Sequence, residues 1–495
     1  MHRFLVSAAH KSSGKTSVSV GLAAELSRRG LAVQTFKKGP DYIDPMWHTA
    51  ATGRACRNLD FNLSTPAQLR LEFARHGASA DVCLVEGNKG LYDGLDLQGR
   101  NSNAALAQLL DLPVVLVLDA RGMTRGIAPL ILGYQAFDRS IRIAGVILSR
   151  LGGARHEAKL RAVIEYYTDV PVLGAVQEDP RLAIVERHLG LVPANEDGAA
   201  QERIALLAAA VARQVDFERL LAASVSRAPL VAVPALAPPV RAGVRIPGVR
   251  IPQGLSRLPS RGTEEAGSRP VVVGIARDRA FGFYYADDLE ALERAGAELV
   301  FFDTLRDARL PRVDGLVIGG GFPEVFMREL EANAALRGEI RAAIEAGMPA
   351  YAECGGLMYL ARSLSWRGDT RHMVGAIAGD VVMHEKAVGR GYVRLAPTDA
   401  HPWFDRGEER AEVPAHEFHY SSIEGLAADT RFAYHVARGH GTDGKSDGIV
   451  VNNLLASYAH LRNAGSCDWA ARFVEFVRRR APVRNAAPTQ LSTVH

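Results

Sequence analysis

Residues 222–270 divide this chain in two, and that division limits its folds more than any other feature. The segment is rich in Pro, Ala, Arg and Gly and holds the near-duplicate Val244-Arg-Ile-Pro-Gly and Val249-Arg-Ile-Pro-Gln-Gly. Such a composition buries too little apolar surface to offset the entropy of ordering, so it reads as an inter-domain linker. The duplicate is too short for a structural repeat. On both sides, short apolar runs alternate with longer amphipathic stretches. Residues 4–8, 82–86, 114–119, 143–148 and 170–175 read as buried strands before the linker. Residues 271–276, 298–302, 315–319, 350–353 and 450–455 do so after it, with helices over 286–295 and 330–345. The alternation predicts an α/β protein of two domains, 1–221 and 271–480. The first has a parallel sheet covered by helices on both faces, with its ligand site beyond the carboxyl ends of the strands. Residues 481–495, mixing Pro, Ala, Thr and Ser, read as a frayed tail.

With 47% hydrophobic residues in 495, both halves can build full cores. Cys56, Cys83, Cys354 and Cys467 lie far apart, without metal-ligand spacing or a disulfide framework, which suits a reducing cytosol and predicts a cytoplasmic protein. No apolar stretch approaches the ~18 residues of a membrane span. The net charge of +4, from 59 basic and 55 acidic residues, is too mild and interspersed for a nucleic-acid binder. Neither nucleic acid nor membrane is an expected partner; an anionic small molecule is.

Directly after the first strand comes Ala8-Ala-His-Lys-Ser-Ser-Gly-Lys-Thr16, followed by a helical run from Ser17. Gly-Lys-Thr between strand and helix reads as a phosphate loop. The backbone N–H groups around Ser12, Ser13 and Gly14 would surround phosphates, Lys15 would reach the terminal ones, and the Thr16 hydroxyl would ligate Mg²⁺. The usual leading glycine is replaced by Ala8 and Ala9. Lys38-Gly-Pro-Asp-Tyr-Ile-Asp-Pro45 follows the second strand and sets Asp41 and Asp44 in a turn. Those carboxylates, with Glu86 at the end of a buried apolar strand, could hold Mg²⁺ or orient a substrate; the alternative is a solvated turn. The loop from Glu86 to Gly94 contains three glycines that allow close approach to a ligand.

In the second domain, Ala352-Glu-Cys-Gly-Gly356 sets one cysteine between a short apolar run and a helical segment. That pattern predicts a nucleophile on a strand-to-helix elbow, with Gly355 supplying an oxyanion donor. The alternative is a buried cysteine packing as a small hydrophobe.

Six motifs in order resemble the cobyrinic acid a,c-diamide synthase family. They are Lys-Gly-Pro-Asp-Tyr-Ile-Asp-Pro, Glu-Gly-x-x-Gly-Leu-Tyr-Asp-Gly, Glu186-Arg-His-Leu-Gly-Leu-Val-Pro193, Gly319-Gly-Gly-Phe-Pro-Glu324, Ala352-Glu-Cys-Gly-Gly356 and His416-Glu-Phe-His-Tyr-Ser421. The resemblance implies a dethiobiotin-synthetase-like P-loop domain followed by a flavodoxin-like class I glutamine amidotransferase domain. It further implies ATP- and glutamine-dependent amidation of the a- and c-side-chain carboxylates of a tetrapyrrole, through an acyl phosphate, with ATP and Mg²⁺ as cofactors. Cobyrinate or hydrogenobyrinate is the family default; siroheme and nickel sirohydrochlorin are the alternatives, and a homodimer is left open. By the same resemblance Cys354 is the nucleophile and His460 its base, Gly320, Gly321 and Gly355 supply the oxyanion donors, and Thr16, Asp44 and Glu86 the metal ligands. Lys38, Asp41, Tyr42, Asp44 and Tyr92 are expected on the substrate side.

Two positions depart from the family pattern. Arg462 stands two residues beyond His460, where related amidotransferases often carry a glutamate and this family a second histidine; an arginine cannot accept the imidazole N–H, so the third member of the site has no assignment. Ser149 replaces an asparagine suited to a purine edge. His416 and His419 are expected to shape the domain or its ammonia route. A partitioning-type ATPase fused to a degenerate amidotransferase-like module is the competing class; it predicts loss of the thiol or its glycines, and both are present.

Overall fold

The computed structural model describes residues 1–226 and 270–481, apart from 185, 188–189, 406–407 and 409. Most of the expected linker and the tail from 482 therefore lie outside the described residues, as do His188 and Leu189. The first domain extends past the expected boundary at 221. A helix at Phe217–Ala223 ends it, and the Arg3 amide donates to Ser224 O at 2.9 Å, tying that end to the first strand.

Seven parallel strands form the first sheet: β1 (His2–Ala8), β2 (Val33–Lys38), β3 (Arg57–Leu59), β4 (Val82–Glu86), β5 (Val114–Asp119), β6 (Ile143–Leu151) and β7 (Val172–Gln177), in the order β3-β2-β4-β1-β5-β6-β7. β1 pairs with β4 through His2↔Val82 and with β5 through Leu5↔Val114. Its interior is apolar and fully buried because helices cover both faces. Strands β2 to β4 lie on one side of it and β5 to β7 on the other. The crevice at the carboxyl end of β1 is thus the switch point where α/β sheets bind ligands. β7 begins two residues later than expected, after Pro171, which has no N–H to give a ladder.

The second domain is built on nine strands: β8 (Val271–Ala276), β9 (Ala297–Phe302), β10 (Gly315–Ile318), β11 (Ala350–Glu353), β12 (Gly389–Pro397), β13 (Val413–His419), β14 (Arg431–Arg438), β15 (Ser446–Val451) and β16 (Leu454–Ser457). Their order is β9-β8-β10-β11-β16-β15-β14-β12-β13; the first five run parallel and the last four antiparallel. Two expectations are corrected here. Residues 450–455 read as one strand but form a hairpin turn: Val451 pairs with Leu454, and Asn452 takes φ 51°, a left-handed conformation that asparagine tolerates. The helix expected over 330–345 is broken into Met327–Ala332 and Ala334–Glu345. Between them the Asn333 side chain donates to Thr304 O and Asp307 O, both at 2.9 Å.

The two domains meet through buried ion pairs. Arg57 donates to Asp287 Oδ1 at 2.7 Å and also pairs with Glu290. Arg462 donates to the Asn58 carbonyl at 2.5 Å and to Asp287 Oδ2 at 3.1 Å, and Tyr392 donates to Asp60 Oδ1 at 3.0 Å. Burial would weaken the Asp287 acid, but Arg57 and Arg462 outweigh it and hold its pKa below the usual carboxylate range. The pairing is what makes burying these charges tolerable.

Candidate active site

β1 ends at Ala8, and the loop that follows turns into helix α1 (Lys15–Arg28) through Ser12 at φ 61° and Gly14 at φ 81°. No acidic residue stands in the first turn and no side chain caps it. The amides there are left to an anion. Ser13 donates its hydroxyl to His10 O at 2.8 Å. The loop from Glu86 lies close over this turn: Leu91 N donates to Ala8 O at 2.9 Å, and a Cβ on Gly90 would fall 2.6 Å from Ala9 O. The glycine missing at the front of the phosphate loop is matched by one on the loop packed against it.

Five charged groups converge under the loop. Glu86 Oε1 receives Thr16 Oγ1 at 2.8 Å, Lys15 Nζ at 2.8 Å and Lys37 Nζ at 3.0 Å. Lys37 also pairs with Asp44 and lies 3.7 Å from Asp41, while Thr16 Oγ1 stands 3.3 Å from Asp44 Oδ2. The other Glu86 oxygen is 2.6 Å from Nε2 of His48, on helix α2 (Ile43–Thr52). Burial would raise the Glu86 carboxyl, but Lys15, Lys37 and His48 outweigh it and hold its pKa well below the ordinary value. Burial would likewise lower the Lys37 ammonium; Asp44, Glu86 and Asp41 hold it well above instead. The sequence offered Lys37, with Lys38 and Lys89, only as a positive charge suited to a polyanionic substrate, and it gave no sign of His48; one stands on a strand and the other on a helix.

The remaining expected residues divide. Asp41 Oδ1 accepts the Ile43 and Asp44 amides at 2.9 and 3.1 Å, and burial together with the Asp44 charge raises its pKa to about 6. Lys38 Nζ donates to Asn88 Oδ1 at 3.0 Å, and burial lowers it to about 8. Tyr92 packs its ring on Tyr134 and Phe137 and donates to Tyr134 O at 2.7 Å. Ser149, expected at a purine edge, is instead buried under the phosphate loop. Its hydroxyl donates to Ser13 O at 2.8 Å and braces that loop. Tyr42, expected on the substrate side, turns away from the charged cluster into the domain interface.

The thiol stands at the tip of β11. Cys354 takes φ 45° and ψ −99° between that strand and helix α3 (Gly355–Leu360), a conformation L-residues rarely adopt, and its amide donates to Ser457 O at 2.7 Å. Such strain persists only where the surroundings impose it. A Cβ on Gly355 would lie 2.9 Å from the Gly321 nitrogen and one on Gly320 2.7 Å from His460 Cε1, so the backbones of 321 and 355 pack at contact distance and Gly320 lies against the imidazole. His460 follows β16. Burial would lower its imidazole, but hydrogen bonds with Cys354 and Glu353 raise its pKa to about 10. Buried Asp447 accepts the Tyr458 and Ala459 amides at 3.0 and 2.9 Å, fixing the segment that carries this histidine. His416 bridges the His460 backbone and stacks on its ring, centroids 5.0 Å apart; His419 stacks on Tyr458 at 4.0 Å. Glu353, adjacent to the nucleophile and unassigned in the sequence, places Oε2 3.2 Å from His460 Nδ1.

Tyr42 joins the two centres. Its ring stacks on Phe283 at 5.2 Å and lies 4.4 Å from Tyr285 and 5.3 Å from His460. One loop therefore points two carboxylates at the phosphate side and an aromatic ring at the thiol side.

A P-loop α/β domain docked on a Cys–His elbow domain is the architecture of a nucleotide-dependent ligase supplied by a glutamine amidotransferase. Comparison with known proteins agrees: a CobQ/CobB/MinD/ParA nucleotide binding domain matches residues 5–192 and a CobB/CobQ-like glutamine amidotransferase domain residues 272–466. A cobyrinate a,c-diamide synthase of Magnetococcus marinus is 45% identical over 478 residues, 97% of each chain. Proteins of the same name from Methanosarcina acetivorans (41% over 508 residues, 97% of each chain) and Archaeoglobus fulgidus (39% over 478 residues, 96% of this chain and 97% of the relative) are similar in extent. The chain belongs to the cobyrinate a,c-diamide synthase family, and is a carbon–nitrogen ligase with glutamine as nitrogen donor. Among the described residues, no helix is long and apolar enough to cross a membrane.

Proposed function

We propose that this chain amidates the a- and c-side-chain carboxylates of cobyrinate, the substrate in its relatives' names, using ATP and glutamine. The amides of 12–16 and Lys15 hold the nucleotide phosphates. Thr16, Asp44 and Glu86 form a hard-oxygen donor set that fits Mg²⁺, and these residues would hold it; when bound it offsets phosphate charge. A side-chain carboxylate takes the γ-phosphoryl group to give an acyl phosphate and ADP. Lys37 and Lys38 suit the polyanionic substrate: Lys38, buried and with its pKa lowered, gains from an added negative charge.

Ammonia comes from the second centre. Cys354 and His460 rest as a thiolate–imidazolium pair, the thiol proton already on His460, and the thiolate attacks the glutamine amide carbon, with the Gly320, Gly321 and Gly355 amides as donors to the developing oxyanion. The C–N bond breaks as His460 returns the proton to the leaving nitrogen, and water then releases glutamate from the thioester. Ammonia attacks the acyl phosphate carbon, phosphate departs, and loss of a proton leaves the amide.

One observation carries this reading: the loop holding Asp41 and Asp44 also sets Tyr42 against His460, so the ammonia source and its consumer are neighbours. The test is incubation with ATP, Mg²⁺ and glutamine, offering cobyrinate and siroheme separately, and mass spectrometry of the products. Two carboxylate-to-amide replacements on cobyrinate are expected. Amidation of siroheme alone would overturn the substrate assignment.

A further inference from the structure

The Cys354–His460 pair lacks the carboxylate expected two residues after the histidine. Arg462, which stands there, is buried and directed across the domain interface to Asn58 O and Asp287. It has no acceptor for an imidazole N–H. The structure brings another carboxylate to that place. Strand alternation sets Tyr351 and Glu353 on one face of β11. Glu353 Oε1 is fixed by two donors, Tyr351 OH at 2.5 Å and the Leu461 amide at 2.9 Å, which leaves Oε2 at 3.2 Å from His460 Nδ1. The Leu461 bond belongs to the residue after the histidine itself, so carboxylate and ring are registered against one another by the backbone.

We propose that Glu353 is the positioning residue of the amidotransferase centre: it keeps the Nδ1 proton on His460, so that Nε2 faces Cys354 and takes the thiol proton, and it stabilises the imidazolium that results. The proton on Nδ1 stays in place throughout; only the Nε2 proton moves, from sulfur to imidazole and on to the departing ammonia. The carboxylate comes from the residue before the nucleophile. That releases position 462 for holding the two domains together. The inference rests on Cys354 and His460 being the glutaminase pair.

The experiment compares Glu353→Gln with the wild-type full chain. A glutamine amide turned toward Nδ1 donates where the carboxylate accepts, favouring the wrong tautomer. Glutaminase kcat should fall by roughly 10²–10⁴-fold, with the KM for glutamine little changed. The pH profile of Cys354 alkylation by iodoacetamide should move upward, because the thiolate loses part of its imidazolium support. Amidation with free ammonia reports that the chain is folded. Wild-type glutaminase activity, or lost activity with an unmoved alkylation profile, would overturn the proposal. Should Glu353→Gln not yield soluble protein, Tyr351→Phe decides. It removes one of the two anchors on Oε1, and a fall of about tenfold with an upward profile supports the role, whereas unchanged values refute it. Cys354→Ala separates the two levels: glutaminase activity surviving in that variant sinks the site assignment itself, while its loss beside an active Glu353→Gln sinks only the role of Glu353.

Discussion

The phosphate centre and the thiol centre are prepared for reaction by opposite means. The first is a balance of charge: Lys15, Lys37 and Thr16 share one buried glutamate oxygen, and removing any member leaves the others uncompensated. The second is held by backbone, with a cysteine at φ 45° wedged against glycines that admit no side chain. A charge-balanced site can accept phosphates and a polyanion by exchanging partners, whereas a backbone-held site keeps one fixed geometry for a covalent step.

The sharpest break of that comparison is Cys354→Ala, which should lower glutamine-dependent amidation by about 10⁴–10⁶-fold while leaving amidation with ammonia. Loss of both activities, measured by product formation, would mean the centres are not separable. Lys15→Ala is next: amidation from either nitrogen source should fall on the order of 10²–10³-fold, with glutaminase activity kept. Equal loss of glutaminase would contradict a purely phosphate-side role. Arg462→Ala leaves part-buried Asp287 with Arg57 still paired to it but one charge-assisted bond fewer, and should cost about 1–3 kcal/mol in denaturant unfolding. A cost within a few tenths would show that the domains dock by other means.

Protonation of His460 gives a pH test. Its pKa is raised from 6.5 to about 10, so its bonds to Cys354 and Glu353 stabilise the fold fully below pH 6.5. That contribution is lost as pH rises toward about 10. Unfolding measured across this window should show the wild type declining more steeply than Cys354→Ala; parallel curves would refute the coupling. The smallest effect is expected from Ser149→Ala, which removes one neutral hydrogen bond beneath the phosphate loop, costs about 1 kcal/mol and leaves the preference among nucleoside triphosphates unchanged. A changed base preference would restore Ser149 to the purine edge.

The sequence made the phosphate loop, the elbow, the first sheet and the parallel half of the second legible, because each is a local pattern of small residues and apolar runs; the antiparallel strands over 389–438 went unread. It hid what depends on register. Asn452 and Asn453 lie inside an apolar run, so a two-residue turn looked like continuous strand. Glu353 escaped because its partner His460 lies 107 residues further along the chain, beyond another strand. Lys37 looked like one of several basic residues until the sheet set it between Asp44 and Glu86.

The posture of Cys354 also bears on chemical labelling. Burial raises the thiols of Cys56, Cys83 and Cys467 to about 12, so near neutral pH they stay protonated and unreactive. Of the four cysteines, Cys354 alone takes a positive φ, at the strand-to-helix elbow, and bonds a histidine. A glutamine-shaped electrophile should therefore modify this chain once, and peptide mapping of the adduct would make it an active-site counter for any preparation.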